Sequence, residues 1–296
     1  MRKRIYDCII VGAGPGGLQA AIYLGRYNRE VLLLDRGGGR TMHAKHVENY
    51  LTQKTITGEE IISTGKEQAS HFNVGIKTSL VTKILKEEFF EVYTEHDRYL
   101  SRTVLVSSGV YDNLPRIENM HKFFGDSFFT CVHCDGYRTT DRKLVLIGNS
   151  VETVRLAFGM KQMYTDDIAI ILYTDKVPDP YKDELKQENI ELIIGRPKAV
   201  LGDKEIEGIE LQDGKQIPCE VIMSNFGFKL NDGFLSELPL ERDNKGFKYK
   251  VNSHYESSIS GLYIAGPLNT GHDQIVIAAG EGAVAAIDIN RRLLEL

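Results

Sequence analysis

The sequence predicts an α/β fold with two domains, each built around a parallel β-sheet, and with the second domain inserted into the first. Two observations indicate the two domains: a strand, helix and strand pattern near the N-terminus, and a second copy of it in the middle of the chain. A third observation indicates the insertion, because a further apolar strand and helix follow the second copy. They would be surplus in the second domain but would complete the first.

Length and composition agree with this division. At 296 residues the chain exceeds the size at which one hydrophobic core stops growing. A net charge of −5 argues against nucleic acid as a partner, since nucleic-acid binding normally requires a basic surface. We expect no membrane partner, because no stretch approaches the roughly 18 consecutive apolar residues of a membrane-spanning helix. The basic residues 1–4 lead directly into a strand rather than a cleavage site, so we expect a cytoplasmic protein.

The predicted elements can be placed on the sequence. The first pattern comprises a strand at 5–11, a helix at 17–26 and a strand at 31–35. The second pattern comprises a strand at 143–147, a helix at 151–163 and a strand at 168–173, and the surplus elements are a strand at 261–266 and a helix at 278–291. Turn-prone residues at Asn113 and Asn231 indicate the boundaries. The predicted domains are therefore 1–112 with 232–296, and the insert 113–231.

A glycine loop joins the first predicted strand to the first helix. Gly12, Gly14 and Gly17 form the pattern G-x-G-x-x-G. Such glycines permit a tight turn and close approach of the backbone to a pyrophosphate, whose charge the helix N-terminus favours. Asp35 ends the next strand, where a carboxylate can accept hydrogen bonds from a ribose. Strand, loop, helix and acid together predict a dinucleotide site better than they predict a merely structural turn.

Cys131 and Cys134 form a C-x-x-C pair, a spacing that allows a disulfide and commonly favours a reactive thiolate. Zinc would need further ligands, and Cys8 and Cys219 each stand alone in apolar segments, so no metal site is predicted. A purely structural pair of thiols remains an alternative.

Two polar residues accompany the pair. His133 lies between the cysteines and could assist proton movement, or simply face solvent. Asp135 is the better acid/base candidate, since disulfide exchange requires a proton for the leaving thiolate.

Together these motifs resemble the low-molecular-weight thioredoxin reductase family, in the family's order and over essentially the whole chain. The resemblance is carried by residues 12–17, by Val47-Glu48-Asn49-Tyr50 with Thr57-Gly58-Glu59-Glu60, by residues 131–136, by Gly261-Leu262-Tyr263-Ile264-Ala265-Gly266, and by Gln274 with Ala278-Ala279-Gly280-Glu281-Gly282.

The resemblance implies two Rossmann-like dinucleotide-binding domains: an FAD domain made from the outer segments, and an inserted nucleotide domain that carries the cysteine pair. It implies FAD as the cofactor, thioredoxin as a partner and a homodimer. Implied FAD-binding residues are Gly12, Gly14, Pro15, Gly16, Gly17, Asp35, Arg36, Asn49, Gly109, Gly266, Gln274 and Ile275. Cys134 would contact the flavin, Cys131 would attack the substrate disulfide and Asp135 would relay the proton.

The insert departs from the family where a nicotinamide nucleotide should bind. Its loop keeps only the first glycine, Gly148, because Ser150 and Thr153 replace the small residues that follow. Asp175 stands in the stretch where the family has a basic cluster, and it would repel the 2′-phosphate of NADPH. We therefore do not expect NADPH to be used, and NADH is a weaker possibility.

A second departure concerns the C-terminal FAD motif, where the usual Gly-Asp is Gly266-Pro267. Another group or a water must therefore replace that carboxylate. Asp273, beside Gln274, also stands where the family usually has arginine.

One group within the family, the ferredoxin-dependent flavin thioredoxin reductases, keeps FAD and the cysteine pair but lacks nicotinamide motifs. Likeness to that group implies that electrons pass from reduced ferredoxin through FAD to the Cys131–Cys134 pair and on to thioredoxin. The alternatives are a flavin dithiol oxidase that uses oxygen as acceptor, an NAD(P)H-dependent thioredoxin reductase, and a flavoprotein without enzymatic activity.

Overall fold

A computed structural model describes residues 4–295. They divide into two units: unit 1 runs up to Tyr111 and resumes at Lys229, and unit 2 is Asp112–Phe228. The turn-prone Asn113 and Asn231, at which the sequence indicates boundaries, lie close to these two crossing points.

The strands are β1 Ile5–Val11, β2 Val31–Asp35, β3 Gly75–Thr78, β4 Val81–Lys86, β5 Phe90–Thr94, β6 Arg98–Val106, β7 Val110–Asp112, β8 Phe128–Phe129, β9 Leu144–Gly148, β10 Ile168–Leu172, β11 Glu191–Ile194, β12 Pro197–Leu201, β13 Gly208–Leu211, β14 Gln216–Pro218, β15 Val221–Asn225, β16 Phe228–Leu230 and β17 Leu262–Ile264. The α-helices are α1 Pro15–Arg26, α2 Gly58–His71, α3 Met120–Phe123, α4 Val132–Asp135, α5 Val151–Met163, α6 Asp179–Gln187 and α7 Ile275–Leu294. Short 3-10 helices cover Arg40–His43, Gly136–Thr139 and Gly233–Leu235.

Unit 1 contains a seven-stranded sheet in the order β3-β2-β1-β6-β5-β4, and β17 also pairs with β6. Strands β3, β2, β1, β6 and β17 pair in parallel, whereas β4, β5 and β6 pair antiparallel. The register of β17 places Leu262 opposite Val104 and Ile264 opposite Val106. The C-terminal segment thus completes the sheet begun by the N-terminal segment, and the predicted insertion of one α/β domain into another is confirmed.

Helices α1 and α7 pack closely because small residues line their contact. Ala20 and Ala21 of α1 and Ala285 and Ala286 of α7 share one buried core. Close helix packing places each apolar side chain against many neighbours, which is where dispersion contacts add up.

The segment Thr57-Gly58-Glu59-Glu60 caps the N-terminus of α2. The Thr57 hydroxyl accepts a hydrogen bond from the Glu60 N–H at 3.2 Å, and the Glu60 carboxylate accepts one from the Thr57 N–H at 2.8 Å. This is a capping box, and the hydrogen bonds that the Thr57 N–H and hydroxyl donate to the Glu60 carboxylate lower its pKa. A Cβ on Gly58 would lie 1.6 Å from the Thr41 carbonyl oxygen, so only glycine fits there.

Unit 2 is built on a parallel sheet in the order β11-β10-β9-β15-β8. Helices α5 and α6 cover one face, in a core that includes Val154, Met160 and Leu185. The antiparallel strands β12, β13 and β14 cover the other face, in a core that includes Val200 and Ile209. The sheet is therefore buried on both sides, as its nearly continuous apolar strands require.

Five of the eight elements predicted from the sequence start or end at residues other than those predicted. Helix α1 starts at Pro15 because proline fits the first helical position, where no N–H is needed. Strand β17 stops at Ile264, since the backbone soon turns at Gly266, whose φ is 84°. Strand β9 runs 144–148 rather than 143–147, strand β10 runs 168–172 rather than 168–173, and helix α7 runs 275–294 rather than 278–291. No helix among residues 4–295 is long and apolar enough to cross a membrane.

Two glycines of α7 give a matched pair of substitutions. A Cβ on Gly282 would lie 2.0 Å from the Gly16 carbonyl oxygen, whereas a Cβ on Gly280 has no described atom within 4 Å. We expect Gly282→Ala to lower the free energy of unfolding by about 2 kcal/mol or more, because α1 and α7 must separate. Gly280→Ala should raise it by roughly 0.5–1 kcal/mol, since alanine favours the helix. Urea unfolding of both variants checks the opposite signs; a stable Gly282→Ala variant would contradict the close packing.

Candidate functional site

The glycine loop of unit 1 packs closely against backbone at Gly12 and Gly17 and has free space beside Gly14. A Cβ on Gly12 would lie 2.4 Å from the Ser107 carbonyl oxygen, and one on Gly17 would lie 2.0 Å from the Gly12 carbonyl oxygen. Gly12 also has a φ of 101°, which favours glycine. At Gly14 the nearest described atom would be 3.8 Å away. Side chains are thus excluded where the loop turns, and free space remains where a ligand can approach.

The N-terminus of α1 suits an anion. Gly14 is the N-cap and has no side chain with which to cap the helix, and Pro15 occupies the first helical position. The first turn carries no acidic residue. The helix dipole and the N–H groups of this turn therefore favour a phosphate at this point.

Asp35 ends β2 beside the glycine loop. Its Oδ1 accepts a hydrogen bond from the Ala13 N–H at 3.1 Å, and its Oδ2 lies 3.1 Å from the Lys66 Nζ. A carboxylate has about four acceptor positions, so Asp35 can hold the loop and still accept hydrogen bonds from ribose hydroxyls. Arg36 is exposed and stacks over the Tyr111 ring at 4.6 Å.

Three residues from later in the chain also border the glycine loop. They are Ser107 after β6, Gly266 after β17 and Ala278 in α7. A Cβ on Gly16 would lie 2.8 Å from the Ser107 Oγ and 2.9 Å from the Ala278 carbonyl oxygen. A Cβ on Gly266 would lie 3.7 Å from the Ala278 Cβ. The N- and C-terminal segments of the chain therefore meet at one cradle.

Three more predicted residues lie in unit 1. Asn49 donates a hydrogen bond from its Nδ2 to the Gln274 Oε1 at 3.0 Å, and Ile275 begins α7 directly after Gln274. Gly109 has a φ of 72°, and its carbonyl oxygen accepts a hydrogen bond from the Asn231 N–H at 3.0 Å. The structure thus brings Asn49 and Gln274 together, although 225 positions separate them in sequence.

These features fit FAD. The cradle consists of backbone that a Cβ would fill, next to a helix N-terminus without acidic residues and a carboxylate that faces the loop. The pyrophosphate, the positive end of the helix and the ribose hydroxyls would each find a partner.

In unit 2, Cys131 and Cys134 form a disulfide with a Cα–Cα distance of 5.3 Å. The Cys131 Sγ accepts a hydrogen bond from the Cys134 N–H at 3.2 Å. Cys134 is exposed and Cys131 half-buried. By contrast, burial raises the pKa of the Cys8 and Cys219 thiols to about 12, which keeps both protonated. The thiol chemistry therefore belongs to the C-x-x-C pair.

Close packing of Gly136 against Tyr164 fixes the backbone that follows the disulfide. Gly136 is buried, and a Cβ on it would lie 2.8 Å from the ring of Tyr164. Asp135 is half-buried with its Oδ1 4.0 Å from the Arg138 Nε, and His133 is exposed. His133 lies between the two cysteines and Asp135 directly follows Cys134, both in α4, so the predicted acid/base candidates lie beside the disulfide.

The loop after β9 differs from the loop after β1. A Cβ on Gly148 would lie 1.9 Å from the Thr153 Oγ1, so this side chain fills the space beside the glycine. Thr153 is fully buried, and within residues 4–295 its hydroxyl has no hydrogen-bond partner. Thr153 therefore packs between α5 and β9, whereas Ser150, the half-buried N-cap of α5, stands where a glycine would let backbone approach a pyrophosphate.

Aromatic side chains close the same edge of the sheet. Tyr173 follows β10 and Phe226 follows β15, and their ring centroids are 5.0 Å apart. Because β9 lies between these strands, the two rings meet across its carboxyl end. Arg196 stacks over Tyr173 at 5.2 Å, and burial raises the pKa of the Tyr173 phenol. Asp175 is exposed just beyond this group.

Sequence reasoning did not single out Ser107 or Lys66, and it quoted Glu281 within the 278–282 motif without giving it a role. Nothing in the local sequence marks Ser107 or Lys66, because they reach the loop only through the fold. Glu281 does carry a signal, since it is the only charged residue in 275–287. Such an isolated charge in an apolar helix is typical of a buried, partnered group.

The model of the pyridine nucleotide-disulphide oxidoreductase family matches residues 6–282. A relative named NADH dehydrogenase, from Bacillus subtilis, is 25% identical over 96% of this chain and 58% of its own length. The chain thus spans little more than half the length of the first relatives that it matches. A thioredoxin reductase from Listeria monocytogenes is also 25% identical, over 99% of this chain and 96% of its own length.

Solved structures show the same fold. The crystal structure of thioredoxin reductase from Streptococcus pyogenes superposes with a TM-score of 0.91 over 99% of both chains, at 22% identity. The prediction of a two-domain FAD/NAD(P)-binding fold is confirmed, and FAD is confirmed as the cofactor by the family match. The chain belongs to the pyridine nucleotide-disulphide oxidoreductase family, and within it resembles the thioredoxin reductases along its whole length.

Proposed function

We propose that this chain is a flavin-dependent thioredoxin reductase whose electron donor is reduced ferredoxin rather than a nicotinamide nucleotide. Support comes from the carboxyl edge of the sheet in unit 2. There Thr153 fills the space beside Gly148, and the Tyr173–Phe226 pair spans the end of β9. Ser150 replaces the glycine that lets backbone approach a pyrophosphate, Glu152 adds a negative charge to the first turn of α5, and exposed Asp175 would repel a 2′-phosphate.

Unit 1 would hold FAD. The glycine loop and the N-terminus of α1 would bind the pyrophosphate, and Asp35 would bind the adenosine ribose. Asn49 and Gln274 would lie beside the flavin ring. The bound cofactor would supply the conversion between single electrons from a protein donor and the electron pair that a disulfide requires.

The cysteine pair would carry the electrons to the substrate. Two electrons and two protons convert the Cys131–Cys134 disulfide to a dithiol. The Cys131 thiolate then attacks a sulfur of the thioredoxin disulfide, and the sulfur that leaves takes up a proton. Cys134 attacks the mixed disulfide, releasing reduced thioredoxin and restoring the disulfide of the enzyme.

Local geometry supports these roles. A hydrogen bond from the Cys134 N–H to the Cys131 Sγ at 3.2 Å would stabilise a thiolate at Cys131. Asp135 lies next to Cys134 and would relay the proton to the leaving sulfur, with exposed His133 as the second candidate.

Residues 36–54 of unit 1 offer a docking surface for an acidic donor. This segment contains Arg36, Arg40, Lys45 and Lys54 but only one acidic residue, Glu48. The same segment carries Asn49, which contacts Gln274 at the predicted flavin site. A basic surface there would attract an acidic ferredoxin and shorten the path of an electron.

A second candidate is an NADH-dependent thioredoxin reductase. The name of the Bacillus subtilis relative, NADH dehydrogenase, and the capacity of Asp175 to bind a ribose hydroxyl favour it. The homodimer and the cytoplasmic location stay predictions.

Anaerobic spectroscopy distinguishes the donors. We expect two electron equivalents of reduced ferredoxin to bleach the bound flavin, and an excess to support the reduction of thioredoxin, whereas NADPH and NADH leave the flavin oxidised, because the loop after β9 lacks the glycine at which backbone approaches a pyrophosphate. Rapid bleaching by either nucleotide would overturn the proposed donor. Rapid reoxidation in air with turnover of a small dithiol would identify an oxidase instead, and bound flavin that reduces no disulfide would identify a non-enzymatic flavoprotein.

Cysteine variants test the order of attack. Cys134→Ser leaves Cys131 free to form a mixed disulfide that nothing resolves, so we expect a stable covalent complex with thioredoxin. Cys131→Ser should form little. Non-reducing electrophoresis and mass spectrometry measure the complexes, and the reverse pattern would exchange the two roles.

Charge reversal tests the donor surface. We expect Lys45→Glu/Lys54→Glu to slow flavin reduction by ferredoxin about tenfold at low ionic strength, with the difference shrinking at high salt because screening weakens steering. Reduction by dithionite should be unchanged. The control Lys182→Glu/Lys186→Glu, on the solvent-facing side of α6 in unit 2, makes the same change in net charge. Equal slowing in both double variants would exclude residues 36–54 as the docking surface.

A further inference from the structure

Glu281 is a buried charge in an otherwise apolar stretch of α7. Glu281 is only 3% exposed, and no other charged residue occurs between 275 and 287. Removing a carboxylate from water is unfavourable unless hydrogen bonds or an opposite charge compensate. The partners of Glu281 should therefore explain why a charged residue stands there.

Both hydrogen bonds of this carboxylate go to the segment between β17 and α7. The Glu281 Oε2 accepts one from the Gly266 N–H at 2.5 Å and one from the Asn269 Nδ2 at 2.7 Å. Asn269 is itself buried, and its Oδ1 accepts a hydrogen bond from the Gly271 N–H at 2.6 Å. One carboxylate thus fixes the turn at 266–269 and, through Asn269, the residue two positions further on.

Lys248 anchors the other end of this segment. Its Nζ donates to the Asp273 Oδ1 at 2.8 Å and to the Gly271 carbonyl oxygen at 3.1 Å. Burial raises the pKa of Glu281, while the hydrogen bonds from Gly266 and Asn269 and the charge of Lys248 oppose that rise and Asp273 adds to it. The segment between β17 and α7 is therefore held at its start by Glu281 and at its end by Lys248.

On its other side, the segment forms part of the FAD cradle. Gly266 has a φ of 84° and lies against Ala278 and Ser107, the same residues that confine Gly16. Pro267 follows Gly266 and has neither an N–H nor a polar side chain. The segment thus has no carboxylate of its own at this point, and the path of Gly266 depends on what holds it from behind.

We propose that Glu281 is a positioning residue for FAD: its carboxylate holds Gly266 and Asn269 in the arrangement that the cofactor requires, in place of a carboxylate at position 267. This inference concerns cofactor binding and holds whichever molecule donates the electrons.

FAD titration of the 296-residue protein, stripped of flavin, tests the proposal. We expect Glu281→Ala to weaken FAD binding about tenfold to a hundredfold, the loss expected when two hydrogen bonds to a charged group disappear. Glu281→Gln should restore binding to within about threefold of the original, since an amide oxygen can accept both hydrogen bonds. Quenching of flavin fluorescence gives the dissociation constant, and the unfolding midpoint of the FAD-free protein is measured in parallel.

Asp288 gives the matched control on the same helix. It is 7% exposed and accepts a hydrogen bond from the Tyr263 hydroxyl at 2.8 Å, two turns beyond Glu281. Asp288→Ala should lower the unfolding midpoint of the FAD-free protein while leaving the dissociation constant within about twofold. Glu281→Ala should weaken FAD binding about tenfold or more, far beyond the effect of Asp288→Ala, whatever its own unfolding midpoint. Equal weakening of FAD binding in both variants, or unchanged binding in Glu281→Ala, would overturn the proposal.

Asn269→Ala removes the same link without altering α7, and keeps the proposal testable if Glu281→Ala does not fold. It should also weaken FAD binding about tenfold or more. The double variant Glu281→Ala/Asn269→Ala should bind little worse than Glu281→Ala, because the two residues act as one unit. Unchanged FAD binding in Asn269→Ala, or additive losses in the double variant, would contradict that coupling.

Discussion

The contact of backbone with backbone around the first glycine loop is the constraint on which unit 1 depends. Gly12 meets the end of β6, Gly17 meets Gly12, and Gly282 meets Gly16, at distances that leave no room for a Cβ. These contacts bring the first and last helices of the chain together. They also place the half-buried N-terminus of α1 at a cradle of backbone, so the packing that stabilises the unit is the packing that forms the cofactor site.

Unit 2 repeats the strand, loop and helix but uses the space differently. The third residue of its glycine pattern is Thr153, whose fully buried side chain lies against Gly148. Tyr173 and Phe226 then cover the adjoining strand end. The same topology can therefore surround its glycine loop with backbone in one unit and with side chains in the other, because the difference rests on a few residues at strand ends.

The two buried carboxylates of α7 illustrate how position decides the role of a charge. Asp288 ties the helix to Tyr263 in the core of unit 1, where the hydrogen bond serves packing. Glu281, two turns earlier, ties it to the segment at 266–269, beside the cradle. Both need hydrogen bonds because both are buried, and only their partners distinguish a structural group from one that shapes a binding site.

The sequence by itself determined the fold class, the inserted domain, the glycine loop and the C-x-x-C pair, because each is encoded by local spacing: periodic apolar residues, glycines at fixed offsets and two thiols three positions apart. Helix and strand ends were less accurate, since Gly266 and Pro15 act through backbone geometry rather than hydrophobicity. Only the tertiary structure decided that Asn49 meets Gln274, that Ser107 lines the cradle and that Glu281 holds Gly266. Those contacts join residues far apart in the chain, and their partners follow from how sheet and helices pack rather than from any local pattern.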